Sequence, residues 1–524
     1  MNASCRDPAP DDADAAEVVA SPLDADACYA ALVARDRRFD GRFVVAVSTT
    51  GVYCRPVCRV RTPGRDRCSF FRRGAEAEAA GYRACLRCRP ELAPRGIGVD
   101  DVVSRLVAAA VRRIEAGALN DDAAGDGGSG SGSASVDALA DRLGVSARHL
   151  RRAMKREIGV TPVELAQSTR VALAKALLQD TRLPLTEVAL ASGFASVRRF
   201  NALFKARFGR PPGEIRRAGA ASALADAPTV RLGYRPPLAW EPLMAFLGAR
   251  ATKGVEVVTG EVYARTASVG GRDGWLAVRR DAARAELRVH VSAGLLPALM
   301  PLVARVRAVF DADADPDAIA ARLGGDDVVG AVLARVPGLR VPGAFDPFEL
   351  CVRAVLGQQV SVKAATTLSG RFASAFGRPL EAEGFPELTH LTPEAARVAA
   401  ADVAEIAAIG LPSARARTIL GLAEAFANKR VALAAGDDPD AAARALEALP
   451  GIGPWTAQYV AMRALGAPDA FPDGDLVLRK ALGGATPAAV KARAERWRPF
   501  RAYAALALWN ATPEELAAAA SREG

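Results

Sequence analysis

Four cysteines, Cys54, Cys58, Cys85 and Cys88, have the type and spacing of a metal site. They run Cys-X3-Cys, then 26 residues, then Cys-X2-Cys. Two close pairs joined by a long loop can converge as a tetrahedral Zn2+ site with four thiolate ligands. All four sulfurs must ionise to bind the metal, so such a site is rich in nucleophilic sulfur. Arginines recur throughout the segment, from Arg55 to Arg89. A zinc–thiolate cluster ringed by arginine suits contact with a phosphate backbone. The same spacing also fits a structural zinc knuckle with no chemistry of its own, and spacing alone leaves both readings open.

The second constellation is far down the chain. Leu449-Pro450-Gly451-Ile452-Gly453-Pro454-Trp455 places Gly-X-Gly between two helical stretches. Such a turn exposes backbone amides and aims a helix N-terminus at a phosphate, with Gly451 and Gly453 as the DNA-gripping residues. This is helix-hairpin-helix grammar. Asp475 follows Trp455 by 20 residues, in Phe471-Pro472-Asp473-Gly474-Asp475. A carboxylate at this distance beyond a DNA-gripping hairpin marks a base-excision active site. It also reads as an N-cap for the helix that opens at Leu476, and one residue can serve both ends.

Several elements must position these groups. Phe43–Val47 reads as a strand that leads through a turn at Thr50-Gly51 to Cys54, and Ala75–Gly81 as a helix stopped just before Cys85. Val136–Ser146 has helical apolar spacing, a glycine turn and a serine N-cap, and the next helix carries Arg148 and Arg151. The grammar recurs at Leu185–Phe194, before a helix carrying Arg198 and Arg199, with a long helix over Pro162–Gln179 between the two units. Alternating segments at Thr229–Tyr234, Gly254–Tyr263 and Glu286–Val291 read as strands, beside helices over Leu238–Gly248 and Leu295–Phe310.

The fold class is therefore multidomain: a small α+β zinc domain, an all-α double helix-turn-helix domain, a small α+β domain and an all-α helix-hairpin-helix domain. Their expected extents are 20–95, 98–218, 229–340 and 341–520. Asp121–Ser133, rich in Gly and Ser, reads as a flexible linker, expected to decouple the zinc module from the domains C-terminal to it. A second boundary falls near Ala218–Pro228.

Charge supports this division. Residues 51–95 carry 11 Lys and Arg against 4 Asp and Glu, net +7, and residues 136–218 carry 16 against 7, net +9. Residues 219–524 carry 34 against 33, net +1, within a chain total of +10. The basic excess is the footprint of nucleic-acid binding in the first two modules. Eight cysteines in 524 residues are too few for a secreted disulfide scaffold. The N-terminus lacks a signal-peptide pattern, and no apolar run is long enough to span a bilayer. A cytoplasmic, soluble protein that binds no membrane is expected.

Residues 20–218 resemble the N-terminal half of the Ada-type alkylation-response regulator. The carrying residues are Tyr53-Cys54-Arg55-Pro56-X-Cys58, Phe70-Phe71 and Ala79-Ala80-Gly81-Tyr82-Arg83-X-Cys85-X2-Cys88-Arg89-Pro90, followed by the double helix-turn-helix of AraC type. Residues 229–520 resemble the AlkA-type 3-methyladenine DNA glycosylase, through Pro236-Pro237, Tyr263-Ala264-Arg265, Leu356-Gly357-Gln358-X-Val360-Ser361, the hairpin string, Asp475 and Ala494-Glu495-Arg496-Trp497.

The resemblance implies a DNA repair and response protein with two activities. Cys54 would accept a methyl group from a methylphosphotriester while it and Cys58, Cys85 and Cys88 hold Zn2+, and the modified protein would activate transcription. Asp475 would drive monofunctional hydrolysis of N-glycosidic bonds to alkylated bases, with Phe246, Trp455, Tyr459 and Trp509 as pocket aromatics and Gln359 at the DNA wedge. Ordinary core packing is the other reading of those aromatics. The implied partners are alkylated and promoter double-stranded DNA and RNA polymerase, and the implied state is a monomer. Pro-Cys-His-Arg, the core of a second methyltransferase domain in Ada-type proteins, is absent, so O6-methylguanine repair is not expected. Gln458 follows the hairpin where bifunctional relatives carry lysine, so Schiff-base strand cleavage is not expected. Gln359 and Asn510 depart from the family's apolar wedge and second aromatic. Two other readings compete: a transcription regulator whose C-terminal half is a non-catalytic DNA clamp, and a glycosylase with a purely structural zinc tether.

Overall fold

The computed structural model describes residues 23–94, 103–120, 135–218 and 228–523. Its first sheet has four strands, β1 (Val44–Val47), β2 (Val52–Cys54), β3 (Cys68–Phe71) and β4 (Arg83–Ala84), in the order β3-β1-β2-β4. The period of two along β1 sends Val44 and Ala46 to one core and Val45 to another. Helix Ala25–Ala34, capped by Asp24, covers the second core with Cys28, Ala31 and Leu32. β2 ends on Cys54, and β4 runs parallel to it with Tyr53 opposite Ala84. That register sets Cys54 beside Cys85 and so joins the two cysteine pairs.

Both helix-turn-helix units are present: Val136–Arg142 with Ala147–Ile158, and Leu185–Ala191 with Val197–Phe208. Their turns use Gly144 and Gly193 at φ of 70° and 82°, where a side chain would be strained. Ser146 and Ser196 cap the second helix of each unit. Helix Pro162–Asp180 joins the units and opens with a Thr161/Glu164 capping box.

The Gly/Ser-rich segment lies outside the described residues, but its flanks do not. Helix Arg105–Glu115, before it, packs Val107, Val111 and Ile114 against Leu139, Leu150 and Met154, after it. The segment therefore interrupts the helix-turn-helix core instead of separating the zinc module from its neighbours, and the expected decoupling does not follow. The second boundary, near 218–228, falls largely outside the described residues.

The second sheet is antiparallel: β5 (Thr229–Gly233), β6 (Glu256–Val258), β7 (Val262–Val269), β8 (Arg272–Asp281) and β9 (Glu286–Val291), in the order β5-β9-β8-β7-β6. The single strand expected over Gly254–Tyr263 is split. Thr259 Oγ1 accepts hydrogen bonds from the Glu261 and Val262 amides and turns the chain there. Helices Trp240–Gly248 and Leu299–Val309 lie against this sheet. Helices Pro316–Leu323 and Val329–Arg335 do not: Ile319, Leu323 and Val332 join Trp497, Phe500 and Leu508 in a core with helix Arg501–Trp509. The remaining helices pack around Val352, Leu422 and Val460.

A buried ionic chain ties three modules together. Lys175, on the joining helix, is fully buried and pairs with Glu91 at 2.5 Å, and its Nζ donates to the Cys85 carbonyl at 3.2 Å. Arg89 contacts Glu91 at 3.1 Å and grips both Asp180 oxygens at 2.6 and 2.7 Å. Arg231 on β5 reaches Asp180 at 3.7 Å and Glu286 on β9 at 2.7 Å. The segment after Cys88, the helix-turn-helix core and the second sheet thus share one electrostatic cluster. Among the described residues, no helix is long and apolar enough to cross a membrane.

Candidate functional site

At the first site the ligand atoms of Cys54, Cys58, Cys85 and Cys88 all lie within 4.8 Å of one another. A tetrahedron with zinc–sulfur bonds of about 2.3 Å has sulfur–sulfur edges of about 3.8 Å, so the donor set and its spacing fit Zn2+. Cys54, Cys58 and Cys85 are buried and Cys88 is half-buried. Three of the sulfurs take a backbone donor: Arg55 N–H reaches Cys88 Sγ at 3.3 Å, and the Val60 and Cys88 amides serve Cys58 and Cys85. Cys68 and Cys28 belong to a separate apolar cluster with Phe43 and Phe70. Cys68 donates to the Gly64 carbonyl at 3.4 Å, and burial raises both thiols.

The arginines around this site divide in two. Arg55 is ion-paired to Asp40, Arg89 belongs to the buried chain, and Arg65 contacts Asp26 at 3.1 Å. Arg59, Arg61, Arg67 and Arg87 face solvent. Further along, Arg148, Arg151, Arg198 and Arg199 are exposed on the second helices of the two helix-turn-helix units. Their helices are held from behind by Leu150 and Met154 and by Phe200 and Phe204.

At the second site the hairpin is formed by helices Pro439–Glu447 and Pro454–Ala464. Gly451 sits at φ of 86°, and a Cβ there would fall 2.1 Å from Thr418 Oγ1. Gly453 is exposed, with nothing within 4 Å of where a Cβ would be. The first glycine is required by backbone and packing, and the second leaves the helix N-terminus open to close approach. Gln358 donates to the Gly451 carbonyl at 3.1 Å, which ties the loop carrying Gln359 to the hairpin. Gln359 is exposed at φ of 55°, beside exposed Val360. An amide-bearing residue in the left-handed region costs of order 1 kcal/mol, which the surrounding loop must offset.

Asp475 does serve as N-cap: Oδ1 accepts from the Val477 and Leu478 amides at 2.9 and 3.0 Å. The same carboxylate takes the indole N–H of Trp509 at 3.1 Å on Oδ1 and that of Trp455 at 2.9 Å on Oδ2. Trp455 stacks on Tyr459 with centroids 5.1 Å apart and planes 8° from parallel, and Tyr459 meets Trp509 at 6.4 Å. Phe246 packs at the edge of the core that includes Trp509. The structure thus gathers Asp475 with Trp455, Tyr459 and Trp509, three of the four aromatics expected at the pocket, beside the second helix of the hairpin. Gln458 points elsewhere: its Oε1 accepts the Phe471 amide at 3.2 Å. Asn510 donates to the Leu506 carbonyl at 2.8 Å.

Two arginines that sequence reasoning passed over stand behind this group. Arg463 donates to the Tyr459 hydroxyl at 2.7 Å, and Arg250 lies over the Phe246 ring, 3.7 Å from its centroid. Each is four residues beyond its aromatic, Arg463 on the same helix and Arg250 just past the end of helix Trp240–Gly248, and that spacing was the available signal. Burial pushes the Tyr459 phenol up, but Arg463 and Arg250 outweigh it and hold the phenol below its usual range.

Two DNA-facing half-proteins are therefore joined in one chain: a four-thiol metal centre on a helix-turn-helix body, and a hairpin with an indole-held carboxylate. Comparison with known families gives the same partition. The metal binding domain of Ada matches residues 27–91, a helix-turn-helix domain 139–218, the AlkA N-terminal domain 229–346, and the HhH-GPD superfamily of base excision DNA repair proteins 352–499. The chain is 41% identical, over 93% of its own length and 96% of the relative's, to a probable bifunctional transcriptional activator/DNA repair enzyme AlkA of Mycobacterium tuberculosis, and it belongs to that family. DNA-3-methyladenine glycosylase 2 of Escherichia coli is 39% identical over 53% of this chain and 95% of its own. The bifunctional transcriptional activator/DNA repair enzyme Ada of Escherichia coli is 36% identical over 29% of this chain and 38% of its own.

Proposed function

We propose that this protein is a DNA alkylation repair and response factor that both releases alkylated bases and senses methylphosphotriesters. The observation that carries the reading is the Asp475 carboxylate, fixed by the Trp455 and Trp509 indoles immediately after a DNA-gripping hairpin. An alkylated base must leave the stack to be reached. Alkylation at N3 or N7 makes it cationic, and the Trp455, Tyr459, Trp509 and Phe246 rings suit such a base by stacking and cation–π attraction. One lone pair of Asp475 Oδ2 beyond the Trp455 bond is free to stabilise oxocarbenium character at C1′ or to orient water. Gln458 offers no amine, so the reaction is hydrolysis without strand cleavage.

In the first half, Cys54 is the methyl acceptor. Bound Zn2+ keeps the sulfurs ionised at neutral pH. Cys54 is assigned as the acceptor because it opens the Cys54-Arg55-Pro56-X-Cys58 string that matches the Ada-type pattern. Its Sγ attacks the methyl carbon in line; the S–C bond forms, the C–O bond breaks, and the phosphodiester leaves as an anion. The product is S-methylcysteine, so each molecule reacts once. Peptide mapping by mass spectrometry after exposure to methylated DNA should place the methyl on Cys54, with base release assayed in the same tube. A methyl on Cys68 or Cys88 would reject the assignment.

Four thiolates around a dication carry a formal −2 charge, and methylation leaves −1. Beside phosphates in a partly desolvated interface, the change should tighten promoter binding by about 1–4 kcal/mol. Arg148, Arg151, Arg198 and Arg199 then meet bases or phosphates, mostly phosphates, and the activator acts as a cytoplasmic monomer with RNA polymerase. Affinity for promoter DNA, compared before and after methylation at fixed salt, checks this: unchanged or weaker binding rejects the charge switch.

A further inference from the structure

The helix-turn-helix core reaches across to the segment that carries the DNA-gripping hairpin. Helix Arg105–Glu115 turns Val107, Val111 and Ile114 into its own core. Ala109 and Arg113, one turn apart at i,i+4 spacing, share a different stripe. Ala109 is buried yet stands outside that core. Gly436 covers it: a Cβ at Gly436 would fall 2.8 Å from Ala109 Cα and 2.9 Å from its carbonyl oxygen. Arg113 is ion-paired to Asp437, with side chains only 13% and 19% exposed, so water screens the pair less than a surface bridge. Asp437 Oδ2 also accepts the Ala434 amide at 2.6 Å, and the Asp437 amide donates to the Ala434 carbonyl at 3.0 Å. That closed turn hands the chain to Asp438, the N-cap of helix Pro439–Glu447, which is the first helix of the hairpin. Ala442, Ala443 and Leu446 of this helix pack with Ile452, Ala457 and Val460, in and just beyond the Gly-X-Gly turn. The contact is narrow. Beside it, helix Arg105–Glu115 and the hairpin residues Pro454 and Gln458 line a cleft of about 1410 Å³, so little else holds that helix to the hairpin.

We propose that Arg113 is a positioning residue for base release, supplied by the regulatory half: through Asp437 it fixes the first helix of the hairpin and so sets how tightly the glycosylase half grips duplex DNA. The proposal rests on the glycosylase reading above. The guanidinium holds the carboxylate that closes the Ala434–Asp437 turn, and the turn fixes where the helix begins. A helix of nine residues spans about 14 Å, and a shift at its start is carried to the Gly-X-Gly turn at its end. Amides at a helix N-terminus bind phosphate only when they point at it, so the shift weakens the grip. The chemical step lies elsewhere, because Asp475 is held by the Trp455 and Trp509 indoles and by the amides of its own helix. Linkage makes the coupling reciprocal. A duplex held at the hairpin stabilises the docked position of helix Arg105–Glu115, whose other face packs against the first helix-turn-helix unit. The two DNA-binding halves then act as one body and not as tethered independent domains.

The test uses the full-length protein on a short 7-methylguanine duplex without promoter sequence, with KM and kcat read separately. Arg113→Gln should raise KM about fivefold or more, the low end of couplings between sites. It should leave kcat unchanged, the pattern of lost uniform binding. Arg113→Lys keeps the charge and should recover most of the wild-type KM. Asp437→Asn breaks the same pair from the other side, and the double variant Arg113→Gln/Asp437→Asn should match the single ones instead of adding their effects. Arg42→Gln is the control: it removes a different ion pair between the halves, with Asp315 at 2.6 Å, and should leave KM near that of the wild type. An unchanged KM in Arg113→Gln, a fall in kcat at constant KM, or an equal rise of KM in Arg42→Gln overturns the proposal. If Arg113→Gln does not fold, Asp437→Asn decides on the same criteria. A wild type that releases base at a KM indifferent to Arg113 sinks this proposal alone; a wild type that releases no base sinks the glycosylase reading itself.

Discussion

Asp475→Asn should abolish measurable release of 3-methyladenine while duplex binding and methylation of Cys54 survive. Preorganised electrostatics of the kind lost here are worth roughly 3–4 kcal/mol in enzymes, a fall of about 10²–10³ in rate. The geometry adds a second effect. Both carboxylate oxygens accept N–H donors: Oδ1 from Val477, Leu478 and Trp509, and Oδ2 from Trp455. An asparagine can present one oxygen only. If it keeps the helix cap, its NH2 faces the Trp455 N–H, and that buried mismatch costs about 1–3 kcal/mol. The variant should therefore unfold at a lower urea midpoint as well as lose activity. Asp473, two residues earlier, makes no described bond to either indole and is the control: Asp473→Asn should lose far less. If Asp473→Asn kills base release and Asp475→Asn does not, the active-site assignment is wrong. If neither matters, the C-terminal half is a DNA clamp.

Short-range signals made much of this architecture legible. The cysteine pairs, the two helix-turn-helix units and the Gly-X-Gly hairpin are local patterns whose residues are dictated by geometry: metal spacing, a Ser cap, a left-handed glycine. Elements without such punctuation were missed. β8 carries Arg272, Asp273, Arg279, Arg280 and Asp281, and the charges hid its alternation, although Gly270-Gly271, both at positive φ, announce the hairpin that begins it. The Thr259 turn was passed over although Gly260 stands in it, because the segments on either side read as one continuous strand. The Gly/Ser stretch was read as a joint between modules because composition reports flexibility and not which helices share a core. The buried ionic chain joins Glu91, Lys175 and Glu286, and no one-dimensional pattern links residues that far apart. Arg250 and Arg463 had a local signal, but it became meaningful only when the fold set both against one aromatic ring.

Lys175→Met should be the most damaging single change in the regulatory half. Lys175 has no exposed surface, and its ammonium meets Glu91 at 2.5 Å and the Cys85 carbonyl at 3.2 Å. Methionine fills similar volume but leaves Glu91 buried opposite an apolar thioether. Breaking a buried pair from one side costs about 3–5 kcal/mol, because the remaining charge is uncompensated. Arg89, which also contacts Glu91 at 3.1 Å, recovers part of the loss. The placement of the pair predicts three readouts. The urea midpoint of the regulatory half should fall. Zinc should be lost faster to a chromogenic chelator, because the Cys85 backbone loses an anchor. Base release from a short alkylated duplex should persist, since the described partners of Lys175, Glu91 and the Cys85 carbonyl, both lie outside the hairpin module. Adding Glu91→Gln to Lys175→Met removes the stranded charge, so the double variant should be less destabilised than the sum of the two single ones. Strict additivity, or unchanged chelator kinetics in Lys175→Met, would show that the zinc module is not held to the helix-turn-helix core through this pair.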